Sequence, residues 1–372
     1  MTTTSGSKLK HAVIGVGAGV FNMHRPALAL ATTEVVGVCD INSEAGQQRA
    51  KELGCPFYTD HRAMLSETKP DIAVILTPHP SHAPIAIDCL RAGAHVLVEK
   101  PIAVHAAEAD AIIEAATAAG RVVAVNFQHR NRADVRTARK LIQQGALGRL
   151  QHVAMTAAWP RTARYFKAVP WRGTWLGEGG GVLMNQAPHQ LDILCHLFDL
   201  PARVLAWTRT ALHDIEAEDT VLAMMEWPSG MLGSFHVSTA EVGCAERLEI
   251  VGTGGSLQFA KDGALTYERL ETDFRTFMAE SDNPFGQPAK QAEAVELEAG
   301  SGDHVAIYQN LHEAILNGAP LVCDGLEGRK SLELANAMIL SSYTGSTIPL
   351  PLDRQKYAVL LEGLKAKSMV AR

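Results

Sequence analysis

The chain has 372 residues, too many for one compact core, so two domains are expected. Hydrophobic content of 47%, charged content of 20% and a net charge of −6, with no block of like charges, fit a globular protein and argue against a nucleic-acid surface or a polybasic membrane anchor. No apolar stretch is long enough to span a bilayer, and the polar start MTTTSGSKLK reads as a frayed tail and a first strand, not a signal peptide. The six cysteines are scattered and none has C-x-x-C spacing, which predicts reduced, mostly buried thiols in a cytoplasmic protein.

Up to residue 128, strand-like and helix-like segments alternate. Continuous apolar runs at Lys10 to Gly15, Val35 to Asp40, Ile72 to Thr77, His95 to Glu99 and Val122 to Phe127 suit strands covered on both faces. Helices are expected after the first strand and over Ser43 to Leu53, Ser81 to Ala92 and Ala106 to Ala119; Gly54, Gly93 and Gly120 stand where helix caps belong. This alternation predicts a doubly wound parallel sheet over residues 1–128.

The pattern changes after about residue 150, within a second domain expected over 129–372. Strand-like runs now follow one another: Leu150 to Trp159, Arg203 to Ala211, Thr220 to Trp227, Met231 to Thr239 and Arg247 to Val251. Trp227-Pro228-Ser229-Gly230 reads as a hairpin turn. An open, mostly antiparallel sheet is expected, interrupted by one helix over Val182 to Phe198. Residues 271–302 read as a long loop, and helices return at about 303–317 and 326–342, where the chain can pack back on its first domain.

The first strand runs into Gly15-Val16-Gly17-Ala18-Gly19-Val20. A dinucleotide loop needs one glycine for its tight turn and another for close approach to the pyrophosphate, which Gly15 and Gly17 supply; Val20 stands where Gly or Ala is usual, with Gly19 one place early. The following helix directs its N-terminus at the anion. The next strand ends in Asp40, twenty residues after Val20, where a carboxylate can accept both ribose hydroxyls of NAD and would repel the 2′-phosphate of NADP. These residues predict a Rossmann domain binding NAD.

Two further strand ends, Thr77-Pro78-His79-Pro80-Ser81-His82 and Glu99-Lys100-Pro101, fall on the carboxyl edge where such sheets bind ligands. Lys100 is either a solvated lysine or a group reaching the reacting oxygen beside the nicotinamide. His79 and His82 lack a third ligand for a metal, and no metal site is expected. Beyond the glycine-rich stretch Gly177 to Gly181, Asn185, His189, Asp192 and His196 recur at helical spacing and would share one helix face, turned either to solvent or into a site. His189 lies nearest the glycines and is the better candidate for acid–base work, with Asp192 and His196 read as structural. Tyr165, Phe166, Trp171 and Trp175 are either sugar-stacking faces or core.

Taken in order and spacing, these motifs resemble the Gfo/Idh/MocA oxidoreductase family: the glycine loop with His24, Asp40, Thr77-Pro78 with His82, Glu99-Lys100-Pro101, Asn126 to Arg130, and the glycine-rich helix carrying His189 and Asp192. The resemblance covers nearly the full length, down to Glu327-Gly328. It implies a Rossmann domain followed by an open-sheet domain that binds substrate and builds homo-oligomers, dimers or tetramers. It assigns catalysis to Lys100 and His189. It assigns cofactor contacts to Gly15, Gly17, Ala18, Gly19, Val20, Asp40, Thr77, Pro78, His79, His82, Glu99, Lys100, Gln128, Trp171 and Arg172. Substrate contacts fall on Lys100, Arg130, Tyr165, Trp175, Asn185 and His189. Many members carry aspartate where this chain has Asn185, which can orient a hydroxyl but cannot carry a proton. The string from Trp171 to His189 is similar to a branch acting on sugars, cyclitols and glycosides. The implied reaction is hydride transfer between NAD and a secondary alcohol or ketone of a carbohydrate-like small molecule. A reductase of a non-carbohydrate carbonyl on the same fold, and a non-catalytic NAD-binding regulator, are the alternatives.

Overall fold

The computed structural model describes residues 8–260 and 263–370. The polar tail expected over the first residues lies outside the described residues. The chain divides into two compact units, one of residues up to Gln128 together with Asp303–Leu332, the other of His129–Gly302 together with Glu333 onward.

The first unit alternates as its sequence pattern requires: β1 (Leu9–Ile14), α1 (Phe21–Leu28), β2 (Thr33–Cys39), α2 (Ser43–Leu53), β3 (Phe57–Tyr58), α3 (His61–Thr68), β4 (Ile72–Ile75), α4 (His82–Arg91), β5 (His95–Val98), α5 (Ala106–Ala119) and β6 (Val123–Val125). The strands form one parallel sheet in the order β3-β2-β1-β4-β5-β6, the order of a dinucleotide-binding sheet. Helices cover both faces, so every residue of β4 is buried and the strand reads as an unbroken apolar run. Local signals set the helix ends. The Asn42 side chain accepts the Ala45 N–H at the start of α2, and Gly54 closes that helix in the left-handed region at φ 68°. The short β3–α3 stretch, too weak in pattern to be expected, supplies the sheet edge.

The second unit opens with α6 (Ala133–Gln143), β7 (Leu150–Ala158), α7 (Ala163–Lys167), α8 (Val182–Asn185) and α9 (Pro188–Phe198). There follow β8 (Arg203–Arg209), β9 (Thr220–Glu226), β10 (Leu232–Ser238), β11 (Arg247–Gly252), β12 (Gly255–Phe259), β13 (Leu265–Leu270), α10 (Phe274–Glu280) and β14 (Lys290–Glu293). After these come α11 (His304–Asn317), α12 (Gly325–Thr344), β15 (Ile348–Pro349) and α13 (Arg354–Val370). The sheet runs β14-β13-β12-β11-β7-β10-β9-β8-β15, antiparallel throughout except where β7 lies parallel beside β10. Its strands alternate buried and exposed residues, the mark of a sheet covered on one face only: in β8, Val204, Ala206 and Thr208 point in. The hairpin between β9 and β10 turns through Gly230 at φ 83°, whose N–H reaches the Trp227 carbonyl.

Two expectations need correction. The single helix over Val182 to Phe198 is two, because Pro188 has no N–H to donate and starts α9 afresh. Asn185 therefore sits on α8, off the helix that carries His189, Asp192 and His196. Residues 271–302 are not one loop: Asp273 caps α10 and Lys290–Glu293 adds an edge strand, both too short and polar to show in the apolar pattern.

Residues 303–332 join the first unit by burial. Ile307, Tyr308 and Leu311 of α11 lie in the same core cluster as Val13, Phe21 and Val74. Each large apolar side chain so buried contributes roughly 1.5–3 kcal/mol.

Candidate active site

Gly15 sits at φ 90°, and a Cβ there would lie 2.8 Å from the Thr77 backbone nitrogen, so only glycine lets the loop touch the end of β4. The Gly17 N–H donates to Asp40 Oδ2 at 2.6 Å and the Asn42 N–H to Asp40 Oδ1 at 2.8 Å. A carboxylate has further acceptor sites, so Asp40 can hold this loop and still receive hydroxyls. Around Gly19 there is open space where a side chain would stand. Thr77 Oγ1 and Gln128 Oε1, at the carboxyl ends of β4 and β6, are buried without a hydrogen-bond partner. A tight glycine turn, a carboxylate at the end of β2 and polar atoms lacking partners fit a dinucleotide.

Behind the loop, His82 is fully buried and bridges two strand ends, its Nδ1 at 2.8 Å from the Pro101 carbonyl and its Nε2 at 2.7 Å from that of Thr77. Burial lowers its pKa against the pull of those two carbonyls. Its ring is thus spent on joining Thr77 to Pro101. His79 lies against it, ring centroids 5.8 Å apart. The Lys100–Pro101 bond is cis. Glu99 is buried with both oxygens engaged: Oε1 accepts from His24 Nε2 at 3.0 Å and from Asn126 Nδ2, and Oε2 accepts the Lys100 N–H at 3.2 Å. Burial alone would raise this carboxyl, but hydrogen bonds from His24 and His304 and the charge of Lys100 outweigh it and hold Glu99 well below the usual carboxylate range.

In the second unit, Arg130 forms a buried bidentate pair with Asp192, at 2.7 to 3.1 Å, which ties α9 to the segment before α6. His129 stacks on His189 with centroids 4.0 Å apart and planes 25° apart. His196 contacts Arg139 at 2.8 Å. The Arg172 guanidinium lies 4.0 Å over the Tyr165 ring and 5.4 Å over Trp171, and the Tyr165 hydroxyl accepts from Gln186 Nε2 at 3.0 Å. Trp175 is buried, donating its indole N–H to the Glu216 carbonyl at 3.1 Å, and lines a cavity of about 250 Å³ with Arg209, Glu218 and Tyr343.

Two acids that the sequence pattern did not single out organise the glycine-rich stretch. Buried Glu178 accepts the Gly173 N–H at 2.7 Å and the Asn185 amide. Buried Glu218 accepts the N–H groups of Gly181 and Leu183 at 2.9 and 3.1 Å. Burial pushes Glu218 up to about 7, aided by the charge of Glu178 and opposed by its backbone donors. A Cβ on Gly181 would lie 1.9 Å from the Glu218 carbonyl oxygen, so that glycine is obligatory. The one available signal was the acid inside Gly177-Glu178-Gly179. Among the described residues, one group could hold a metal by proximity alone, His24, Glu99 and His304, whose ligand atoms lie within 4.8 Å.

The parallel sheet order, the glycine turn and the acid after β2 define a nicotinamide-dinucleotide-binding oxidoreductase fold. Residues 9–127 match the family model described as oxidoreductase family, NAD-binding Rossmann fold, and residues 135–258 match the GFO/IDH/MocA C-terminal domain. The chain belongs to the Gfo/Idh/MocA oxidoreductase family, and NAD is its cofactor. It is 30% identical to the D-glucoside 3-dehydrogenase of Escherichia coli (strain K12) over 205 residues, a match spanning 53% of this chain and only 56% of that relative. It is 26% identical to the D-apiose dehydrogenase of Paraburkholderia graminis over 360 residues, 94% of this chain and 92% of the relative. Among solved structures, the WlbA dehydrogenase from Chromobacterium violaceum, in complex with NADH and UDP-GlcNAcA, is 30% identical with a TM-score of 0.82, covering 94% of this chain and 98% of that one.

Proposed function

We propose that this chain transfers a hydride between NAD and a secondary alcohol or ketone of a sugar, cyclitol or glycoside. NAD, when bound, accepts or returns the hydride. Lys100 hydrogen-bonds the reacting oxygen and stabilises its developing negative charge. His189 takes the hydroxyl proton in oxidation and returns it in reduction. Asn185, its amide committed to Glu178, orients a neighbouring hydroxyl. The loop from Gly15 to Val20, with Asp40, Thr77, Pro78 and Gln128, holds the dinucleotide, and Tyr165, Trp171 and Arg172 form an aromatic and cationic wall.

The observation that carries this reading is the combination, in one chain, of a dinucleotide loop completed by Asp40, the Glu99-Lys100-Pro101 strand end, and His189 held at the start of α9 by stacking on His129. The sugar class rests on the relatives' activities. A panel of glycosides, free sugars and cyclitols followed by NADH absorbance tests it. Lys100→Ala and His189→Ala should each lower kcat by about 10²–10⁴ while NADH affinity stays within about twofold. Near-wild-type kcat in either variant would remove that residue from the chemistry. A second reading, a non-carbohydrate diol as substrate, is favoured by 26% identity over 250 residues to the mouse trans-1,2-dihydrobenzene-1,2-diol dehydrogenase. The panel therefore includes such a diol.

The outer face of the second sheet exposes Trp207, Leu222, Met224 and Leu232 on adjoining strands, which supports a homo-oligomer, dimer or tetramer, closed through that face. Light scattering of wild type and of Trp207→Glu/Met224→Glu checks this: a monomeric wild type would contradict it. A cytoplasmic setting is supported by six cysteines that are all free.

A further inference from the structure

We propose that Glu99, held by His24, His304 and Asn126, is the positioning residue for Lys100. The inference rests on the reading of Lys100 as the group that meets the reacting oxygen. Three elements distant in sequence converge on this one carboxylate, together with the next residue, Lys100. His24 comes from α1, just behind the glycine loop, and Asn126 from the end of β6. His304 comes from the first turn of α11, its Nε2 3.8 Å from Glu99 Oε1. Lys100 follows β5 and gives its backbone N–H to Oε2.

The cluster is built to hold charge. His24 Nδ1 contacts the Tyr308 hydroxyl at 3.0 Å. With the Tyr308 hydroxyl donating to Nδ1, a neutral His24 ring carries its proton on Nε2 and donates it to Glu99. Tyr308 is held well above its ordinary value by burial and by the Glu99 charge, so it stays neutral. The titratable and charged groups facing Glu99 are thus His24 on α1, His304 and Tyr308 on α11, His82 on α4, and Lys100 itself. A buried ionic network is weak evidence for stability, since packed apolar side chains of the same volume often do as well. This one engages both oxygens of its acid, and the residue it adjoins, Lys100, is the one assigned to the reacting oxygen. An acid that accepts the lysine's own N–H and attracts its side-chain charge fixes where the ammonium stands. A displacement of about 1 Å there costs about 10²-fold in rate. The donors also account for the proximity of two histidines and an acid: each contact is a hydrogen bond or ion pair to Glu99, with no ion needed between them.

The test is a double-mutant cycle on the full chain, with a titration that needs no turnover. Glu99→Gln should lower kcat about 10²-fold and should add nothing to Lys100→Ala. In protein reductively methylated with ¹³C, the lysine signal lost in Lys100→Ala identifies Lys100. Its titration midpoint should move to lower pH in Glu99→Gln. Additive losses in the cycle, or an unmoved midpoint, would overturn the inference. If Lys100→Ala instead keeps its kcat, the reading of Lys100 fails, and the titration still decides whether Glu99 acts on it. Should Glu99→Gln not fold, His304→Gln carries the same two measurements.

Discussion

Lowering the pH from about 7.5 to about 5 should cost the first unit stability through one buried histidine. His11 on β1 is fully buried, and its Nδ1 lies 2.8 Å from the Leu9 carbonyl. Its Nε2 meets His312 Nε2 at 3.1 Å, and His312 Nδ1 meets the Thr32 hydroxyl at 2.9 Å. One proton arrangement satisfies all three contacts with both rings neutral. Thr32 donates to His312, His312 donates to His11, and His11 donates to Leu9. A proton added to His11 Nε2 would face the His312 donor. Burial is the main cause that lowers His11 from 6.5 to about 4, with His312 adding to it against the Leu9 carbonyl. The folded pKa is depressed, so the contribution is fully present above 6.5 and is lost as the pH falls towards 4, where the unfolded chain binds a proton that the folded chain refuses. The loss is about 2 kcal/mol by about pH 5 and about 3 kcal/mol by about pH 4. His312, His82 and His95, also lowered by burial, act in the same direction, while Glu218 in the other unit acts against it. The informative quantity is therefore the difference between variants. Urea unfolding of wild type and His11→Phe, followed by circular dichroism at both pH values, should show wild type losing about 2 kcal/mol more. Equal losses would refute the proton arrangement and the burial argument together.

Three further outcomes follow from the site. Asp40→Ser should shift the ratio of kcat/KM from NAD towards NADP, because the carboxylate that would oppose a 2′-phosphate is gone; a wild type that prefers NADP would contradict the role of Asp40. Asn185→Asp places a second carboxylate against buried Glu178, so the pair holds a proton near neutrality and loses it as pH rises. Its melting temperature, relative to wild type, should fall between about pH 6 and about pH 8, and a pH-independent difference would show that the two acids do not meet. Asp192→Asn strands the buried Arg130 guanidinium and should cost about 3–5 kcal/mol of unfolding free energy in urea, with a smaller effect on kcat in the protein that remains folded.

Local information was enough for the alternating half of this chain. Runs such as Ile72 to Leu76 are apolar without a break because helices cover both faces of the sheet, so periodicity and cap glycines located the strands and helices to within a residue or two. The same holds for β8 to β10, whose alternation reports one covered face. No element was expected at β3, α3, α6, α7, β12, β13, α10, β14, β15 or α13; most of these are short or polar and carry too little apolar pattern, while α6 and α13 are longer helices that the expected elements also leave out. Periodicity also ran past Pro188, since apolar spacing continued through a break that only a missing N–H explains. Glycine spacing and Asp40 announced the nucleotide loop, because that chemistry is built from neighbours in sequence. What sequence could not determine is which distant groups share a proton or a charge. His11 and His312 are 301 residues apart, and Glu99 and His304 are separated by 205. Nothing in the pattern around Glu178 says that Asn185 gives its amide to it. Such pairings cost nothing in local propensity and are decided by packing. Once α11 buries Ile307, Tyr308 and Leu311 in the first core, every polar group carried in with them must find a partner or go unsatisfied, and the tertiary structure chose those partners.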